Sequence, residues 1–185
     1  MESRHPLVLV VHVDEWKKPT NTGRWATLAL KNSSVYVRGE KREAAREGAA
    51  AGGTRYVGEV SITAEPTLLL FPSDDSVPLR PADGPITLVV PDGNWRQASK
   101  IPKREPALKD LKRVHLPMLP PSALRLRKEH TAHGMATLEA IAMAYQILDP
   151  PVGAALLKLY ELAAARVLAG SRSDVRKRLG ERKRE

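Results

Sequence analysis

Three short apolar runs, each stopped by polar or turn-forming residues, set the strongest limit on what this chain can fold into. Leu7 to Val13, Thr67 to Phe71 and Ile86 to Val90 are rich in Val and Leu and lack the alternation of a strand with one wet face. Runs of that length and kind are central strands covered on both faces, as in a parallel sheet. Ser34 to Arg38 alternates and is β-branched, a second strand in chain order, and Arg113 to Leu116 forms a further one closing at Pro117. Between the strands, Thr20 or Asn21 caps a helix running to about Asn32, with Trp25, Leu28 and Ala29 spaced to face the sheet. A second helix is expected from about Asn94 to Lys103. Met135 to Leu148 and Val152 to Leu168 form two more, separated by Pro150-Pro151, which ends the first and is tolerated in the first turn of the next. Glu40 to Thr54 mixes charge with Ala and ends in Gly52-Gly53, a surface segment or short helix followed by a loop. Strands alternating with helices predict an α/β fold: a mostly parallel open sheet with helices on both faces and right-handed crossovers.

At 185 residues the chain is long enough to bury roughly 70% of its unfolded surface as one domain. Zero cysteines exclude a thiol nucleophile, a disulfide framework and Cys-ligated zinc. His5, His12, His115, His130 and His133 show no metal-binding helical spacing, so no metal is expected. Pro6 to Val11 is too short for a signal peptide or a membrane span, which gives the expectation of a cytoplasmic protein with no membrane partner. The net charge of +9 favours a polyanionic partner through counterion release. The excess is uneven. Residues 171–185 hold seven basic and three acidic residues, +4 of the +9, so residues 1–170 are read as the domain and 171–185 as a basic tail. Arg172, Arg176 and Lys177 make that tail a candidate phosphate-binding arm; a solvated helix end that frays at the terminus is the ordinary alternative.

Chemistry-bearing residues gather in three phrases, each where a strand or loop hands over to a helix: Pro19-Thr20-Asn21-Thr22-Gly23-Arg24, Pro91-Asp92-Gly93-Asn94-Trp95 and Ala136-Thr137-Leu138-Glu139-Ala140. In an α/β domain such junctions sit at the carboxyl edge of the sheet, where small-molecule sites form, and together they read as one pocket. The order and wording of these phrases resemble the DTW-domain family, tRNA-uridine aminocarboxypropyltransferases named for an Asp-x-Thr-Trp motif. The resemblance extends through His12-Val13-Asp14-Glu15, Val35-Tyr36-Val37-Arg38-Gly39, Leu70-Phe71-Pro72-Ser73 and Leu124-Arg125-Leu126-Arg127-Lys128, and covers roughly residues 7 to 165. Three departures stand out: Asn94 in place of Thr, Val13 in place of Pro, and no cysteine cluster ahead of the domain.

The resemblance implies a SPOUT-like fold with a carboxyl-terminal trefoil knot. It also implies S-adenosylmethionine as donor, tRNA as partner, and transfer of the 3-amino-3-carboxypropyl group to N3 of a uridine with release of methylthioadenosine. An RNA methyltransferase of the related knotted class and a catalytically silent RNA-binding domain are the alternatives, the latter motivated by Asn94 and by the missing cysteine cluster. Uracil N3 is a poor nucleophile while protonated, so a carboxylate within hydrogen-bond reach is the natural general base, and Asp92 is the candidate. An Asp in that position also makes Asx turns or caps the next helix.

The donor pocket is expected at the turns formed by Pro72, by Asp92, Gly93, Asn94 and Trp95, and by Leu116 and Pro117. Met135, Ala136, Thr137 and Glu139 are expected beside them. Glu139 can hold the donor's amino group or ribose hydroxyls, or simply complement the helix dipole. Trp95 can stack on a flipped base, pack beside the donor, or belong to the core. Thr22, Gly23 and Arg24 suit the donor's ribose or carboxylate, or an RNA phosphate. Asn21, Arg24, Arg125, Arg127 and Lys128 are the expected RNA contacts outside the tail, with solvated surface charge as the plain alternative.

Overall fold

Seven strands form a single sheet in the computed structural model, which describes residues 1–39, 54–57, 60, 62, 66–117 and 135–181; for 54–57, 168 and 170–181 it describes the backbone alone. The strands are β1 (Leu7–His12), β2 (Ser33–Arg38), β3 (Thr54–Val57), β4 (Thr67–Leu70), β5 (Val77–Pro78), β6 (Thr87–Asp92) and β7 (Lys112–His115). Their order is β3-β2-β1-β6-β4-β7-β5, and every pairing is parallel. The helices are α1 (Val13–Trp16), α2 (Thr22–Ala29), α3 (Trp95–Ala98), α4 (Ile101–Arg104), α5 (Pro106–Lys109), α6 (Thr137–Leu148) and α7 (Pro150–Glu181).

Alternate residues of the central strands point to opposite faces and build two cores. Leu7, Leu9, Val11, Leu88 and Val90 pack with Ala26, Leu138, Ile141, Tyr145, Leu156 and Tyr160, so α2, α6 and α7 cover one face. Val8, Val10, Leu69 and Val89 pack with Ile101 and Leu108, so α4 and α5 cover the other. Each such aliphatic side chain contributes about 1.5–3 kcal/mol on burial, which is why the unbroken apolar runs became the middle of the sheet. At the amino end, Tyr145 donates from its hydroxyl to the His5 carbonyl at 2.7 Å, tying α6 to the start of β1. Burial, reinforced by neighbouring Arg4, lowers the His5 pKa below the usual 6.5.

The expected α/β architecture with a mostly parallel sheet is found, and among the described residues every strand pairing is parallel. The short strands β3 and β5 carry no sequence signal strong enough to foresee, and other expectations are corrected. The α2 residues that face the sheet are Gly23, Ala26 and Thr27, while Leu28 is exposed and Trp25 only half-buried. Trp25 and Ala29 pack against the edge of the core on that face as expected, and the small residues let the helix approach closely, so only Leu28 departs from the expected face. The helix expected from Asn94 to Lys103 is split into α3 and α4. Pro102 has no N–H to bond back to Ala98, so the helix stops there and restarts with Pro102 in its first turn.

Smaller differences concern boundaries. Val13 opens α1 and does not extend β1. Strand β6 runs on through Pro91 to Asp92, and β7 ends at His115, before Leu116. Met135 and Ala136 precede α6, with Ala136 at its cap position. Helix α7 absorbs Pro150 and Pro151 in its first turn and continues past residue 170 to Glu181. Glu40 to Gly53 and the Leu124 to Lys128 segment lie outside the described residues.

Candidate active site

The order of the sheet brings the ends of β1, β6, β4 and β7 side by side at its carboxyl edge. Val11 of β1 lies opposite Asp92 in register, so Asp92 is the last residue of a central strand. Its parity with Leu88 and Val90 aims the side chain at the face covered by α2 and α6. There it is 4% exposed. Oδ2 accepts from the Asn21 amide at 2.6 Å, and Oδ1 accepts from the Thr137 hydroxyl at 2.5 Å.

Each donor is itself fixed by a helix start. Asn21 is the N-cap of α2, its Oδ1 accepting from the Arg24 backbone N–H at 2.8 Å while its amide reaches Asp92. Thr137 is the first residue of α6. Thr22 closes the group, its hydroxyl accepting from the Leu138 backbone N–H at 3.4 Å. Gly23 makes this convergence possible: a Cβ there would lie 2.7 Å from Asp92 Oδ2 and 3.2 Å from both Leu9 Cδ2 and Thr137 Cγ2. Three phrases far apart in sequence therefore meet around one buried carboxylate. Glu139, in the first turn of α6, is also buried, at 3% exposure, and engaged within the protein.

A second cluster occupies the other face of the same edge. His12 shares parity with Val8 and Val10 and ends β1. Its Nδ1 accepts from the Asp14 backbone N–H at 3.2 Å and lies 3.1 Å from Gln97 Nε2. Gln97 forms a capping box with Asn94, whose Oδ1 accepts from the Gln97 N–H while Gln97 Oε1 accepts from the Asn94 N–H, both at 2.9 Å. Asn94 is thus the N-cap of α3. Beside it, Phe71 stacks on Trp95 with ring centroids 5.2 Å apart and planes inclined by 28°. Phe71 packs against the core that contains Leu69 and Val89, whereas Trp95 is 53% exposed. Gly39, just past β2, takes a positive φ of 86°, and a Cβ there would sit 3.3 Å from Val13 and 3.6 Å from His12 Nε2.

The residues expected to line one pocket therefore fall on two sides of the sheet edge. Asn21, Thr22, Asp92, Thr137 and Glu139 lie together on the α2 and α6 side. Asn94 and Trp95 lie on the other, with Gly93 between. Pro72 is exposed just beyond β4, Leu116 and Pro117 are half-buried just beyond β7, and Met135 and Ala136 lead into α6. Near Leu116, His115 Nδ1 lies 2.9 Å from the Ser76 hydroxyl. Arg24 is exposed and sits over the Trp16 ring, 5.0 Å from its centroid, which holds its guanidinium at the rim. Arg125, Arg127 and Lys128 lie outside the described residues, as do the side chains of Arg172, Arg176 and Lys177, whose backbone belongs to α7.

Sequence reasoning passed over Phe71, Gln97 and the neighbours of His12. Phe71 had a signal, since it precedes Pro72 at the end of an apolar run and is the chain's one phenylalanine. Among the described residues no group of three or more His, Cys, Asp or Glu is placed to hold a metal ion, and no helix is long and apolar enough to cross a membrane.

A family model described as DTW domain matches residues 1–168. Over 86 residues the chain is 43% identical to tRNA-uridine aminocarboxypropyltransferase 2 of Drosophila melanogaster, a stretch covering 45% of this chain and 34% of that relative. The chain thus aligns with about a third of that relative's length. No solved structure matches.

Proposed function

The chain belongs to the DTW-domain family, and from that premise we propose that it transfers the 3-amino-3-carboxypropyl group of S-adenosylmethionine to N3 of a uridine in tRNA. The observation that carries this reading is the convergence of Asn21, Thr22, Gly23 and Thr137 on the buried Asp92 carboxylate at the sheet's carboxyl edge. The name of the fly relative supports the reaction class. The knotted, SPOUT-like arrangement is part of the same reading, supported by a parallel sheet whose carboxyl edge meets α6, and so is a cytoplasmic setting, where tRNA is available.

The residues present fit such a donor. Exposed Pro72 and Met135 and half-buried Leu116, Pro117 and Ala136 offer apolar surface for an adenine and a thioether. Thr22, Thr137 and Gly93 offer hydroxyls and close backbone beside them, and Glu139 supports α6 from within. When bound, the sulfonium supplies an electrophilic carbon on its methionine side and leaves as the neutral thioether methylthioadenosine. Asp92 takes the N3 proton as the N–C bond forms and the C–S bond breaks, exchanging its hydrogen bond from Asn21 or from Thr137 for the imide N–H. Arg24 and the basic residues outside the described region hold phosphates.

One observation favours a second role for Asp92. At 4% exposure, with both oxygens occupied by Asn21 and Thr137, the carboxylate also serves as the clamp that aligns α2 and α6. Asp92→Asn separates the roles. As a base, Asp92 is needed for turnover and not for donor affinity; as a clamp, its loss lowers donor affinity and stability together.

Of the two departures behind the silent-domain alternative, Asn94 caps α3, a task that Thr also performs. Mass analysis of nucleosides from tRNA incubated with protein and donor tests the proposal. Appearance of 3-(3-amino-3-carboxypropyl)uridine supports it, and methylated nucleosides alone would move the assignment to methyl transfer.

A further inference from the structure

The Phe71 and Trp95 pair is not accounted for by the Asp92 clamp. It lies on the opposite face of the sheet edge, packed against the α4 and α5 core, and one of its rings is an indole left 53% exposed. Burial of a tryptophan removes 150–250 Å² from water, so leaving half of one outside forgoes stabilisation that the fold could have had. Phe71 covers one side of the indole and directly follows β4, the strand beside β6. A two-point mounting on a rigid sheet edge holds the indole in one orientation with surface to spare.

We propose that this pair is a stacking platform for an unpaired base of the acceptor RNA, with Trp95 as the contact and Phe71 as the positioning residue behind it. The inference rests on the reading that the acceptor is RNA. Asp92 and Trp95 are three residues apart, so their Cα atoms are within about 11 Å, a separation that a single strand spans in one or two nucleotides. A base held on Trp95 therefore places its own or an adjacent nucleotide at the carboxyl edge near Asp92. Base-paired RNA keeps its bases stacked inside the helix and cannot use such a platform; a loop can. The net charge of +9 supplies attraction to phosphates without regard to sequence, and the aromatic pair adds a contact that only bases make. The adenine of the donor is the competing occupant of a π-face. The geometry favours RNA because the hydroxyls offered to the donor, on Thr22 and Thr137, lie on the α2 and α6 side, across the sheet edge from Trp95.

The test is equilibrium binding of decauridylate and of an abasic oligomer with the same phosphates, using wild type, Trp95→Ala, Trp95→Phe and Phe71→Ala. Trp95→Ala is expected to weaken decauridylate binding by roughly 5- to 150-fold and to leave the abasic oligomer unchanged. Trp95→Phe restores part of the loss, and Phe71→Ala shows a smaller loss in the same direction. Donor affinity, measured separately by calorimetry, stays at the wild-type value in all three. Equal weakening for both oligomers, or lost donor affinity with decauridylate affinity retained, overturns the proposal. Because binding is read without turnover, failure here is distinct from failure of the transferase assignment, which the product analysis decides. Trp95 is exposed, so an unchanged urea midpoint verifies that Trp95→Ala remains folded.

Discussion

Replacing Gly23 by Ala puts two effects in opposition, and the structure decides the sign. Gly23 lies in the first turn of α2, and by helix propensity alone Ala would stabilise the protein by up to about 1 kcal/mol. The added Cβ, however, would stand 2.7 Å from Asp92 Oδ2, a distance that forces a shift, and 3.2 Å from Leu9 Cδ2 and Thr137 Cγ2. Overpacking a filled site costs about 1–3 kcal/mol. Asp92 has little freedom to retreat, because Asn21 and Thr137 hold both its oxygens. Breaking one hydrogen bond to a buried charged group costs a further ~1.5–3 kcal/mol. Net destabilisation of about 2–4 kcal/mol is expected, a large share of the ~5–15 kcal/mol that holds a domain folded. With a urea slope of ~2 kcal/mol/M, the unfolding midpoint drops by roughly 1–2 M. In an Asp92→Ala background the closest contact is absent, so the same glycine substitution costs less, and the difference measures the coupling. A Gly23→Ala protein as stable as wild type, or more stable, would refute the close approach of α2 to Asp92.

Other predictions follow from the same geometry. Asn94→Thr keeps an N-cap acceptor on α3 and is expected to change stability by less than about 0.5 kcal/mol, whereas Asn94→Ala loses ~1 kcal/mol; urea midpoints of the two variants check the difference. His5 is buried with its pKa held below 6.5, so the unfolded chain binds its proton more readily than the folded one. Stability contributed by neutral His5 is therefore present above pH 6.5 and is lost as pH falls from 6.5 toward the depressed value, and midpoints of wild type and His5→Asn at pH 7.5 and 5.5 should show a smaller acid loss in the variant. Deleting residues 171–185 removes seven cations and three anions, which should weaken tRNA binding and flatten its log–log salt dependence while leaving donor affinity unchanged; an unaltered slope would assign phosphate contact to Arg24, Arg125, Arg127 and Lys128 instead.

The three apolar runs made the central strands β1, β4 and β6 legible, because residues buried on both faces leave no choice of register or period. The order of those strands was not legible, since each parallel run reads alike and long-range pairing leaves no local mark. The helix cap at Thr20 or Asn21 was visible, and Trp25 and Ala29 do pack against the core, yet Leu28 is exposed because close packing here uses Gly23, Ala26 and Thr27 in place of large side chains. The three junction phrases contain Asn21, Asp92 and Thr137, which the structure brings into contact. What they could not show is that strand parity sends Asp92 to one side of the sheet, and that the stacking partner of Trp95, directly following β4, lies on the other. A chain's local pattern fixes which residues reach the edge; only the assembled sheet determines which of its sides they share.

The central claim is the group transferred, and identification of the co-product tests it most directly. Purified protein incubated with S-adenosylmethionine and unmodified tRNA is predicted to release methylthioadenosine in step with modification of uridine, and Asp92→Asn is predicted to abolish that release. S-adenosylhomocysteine as the sole co-product, or no tRNA-dependent co-product at all, would contradict the account.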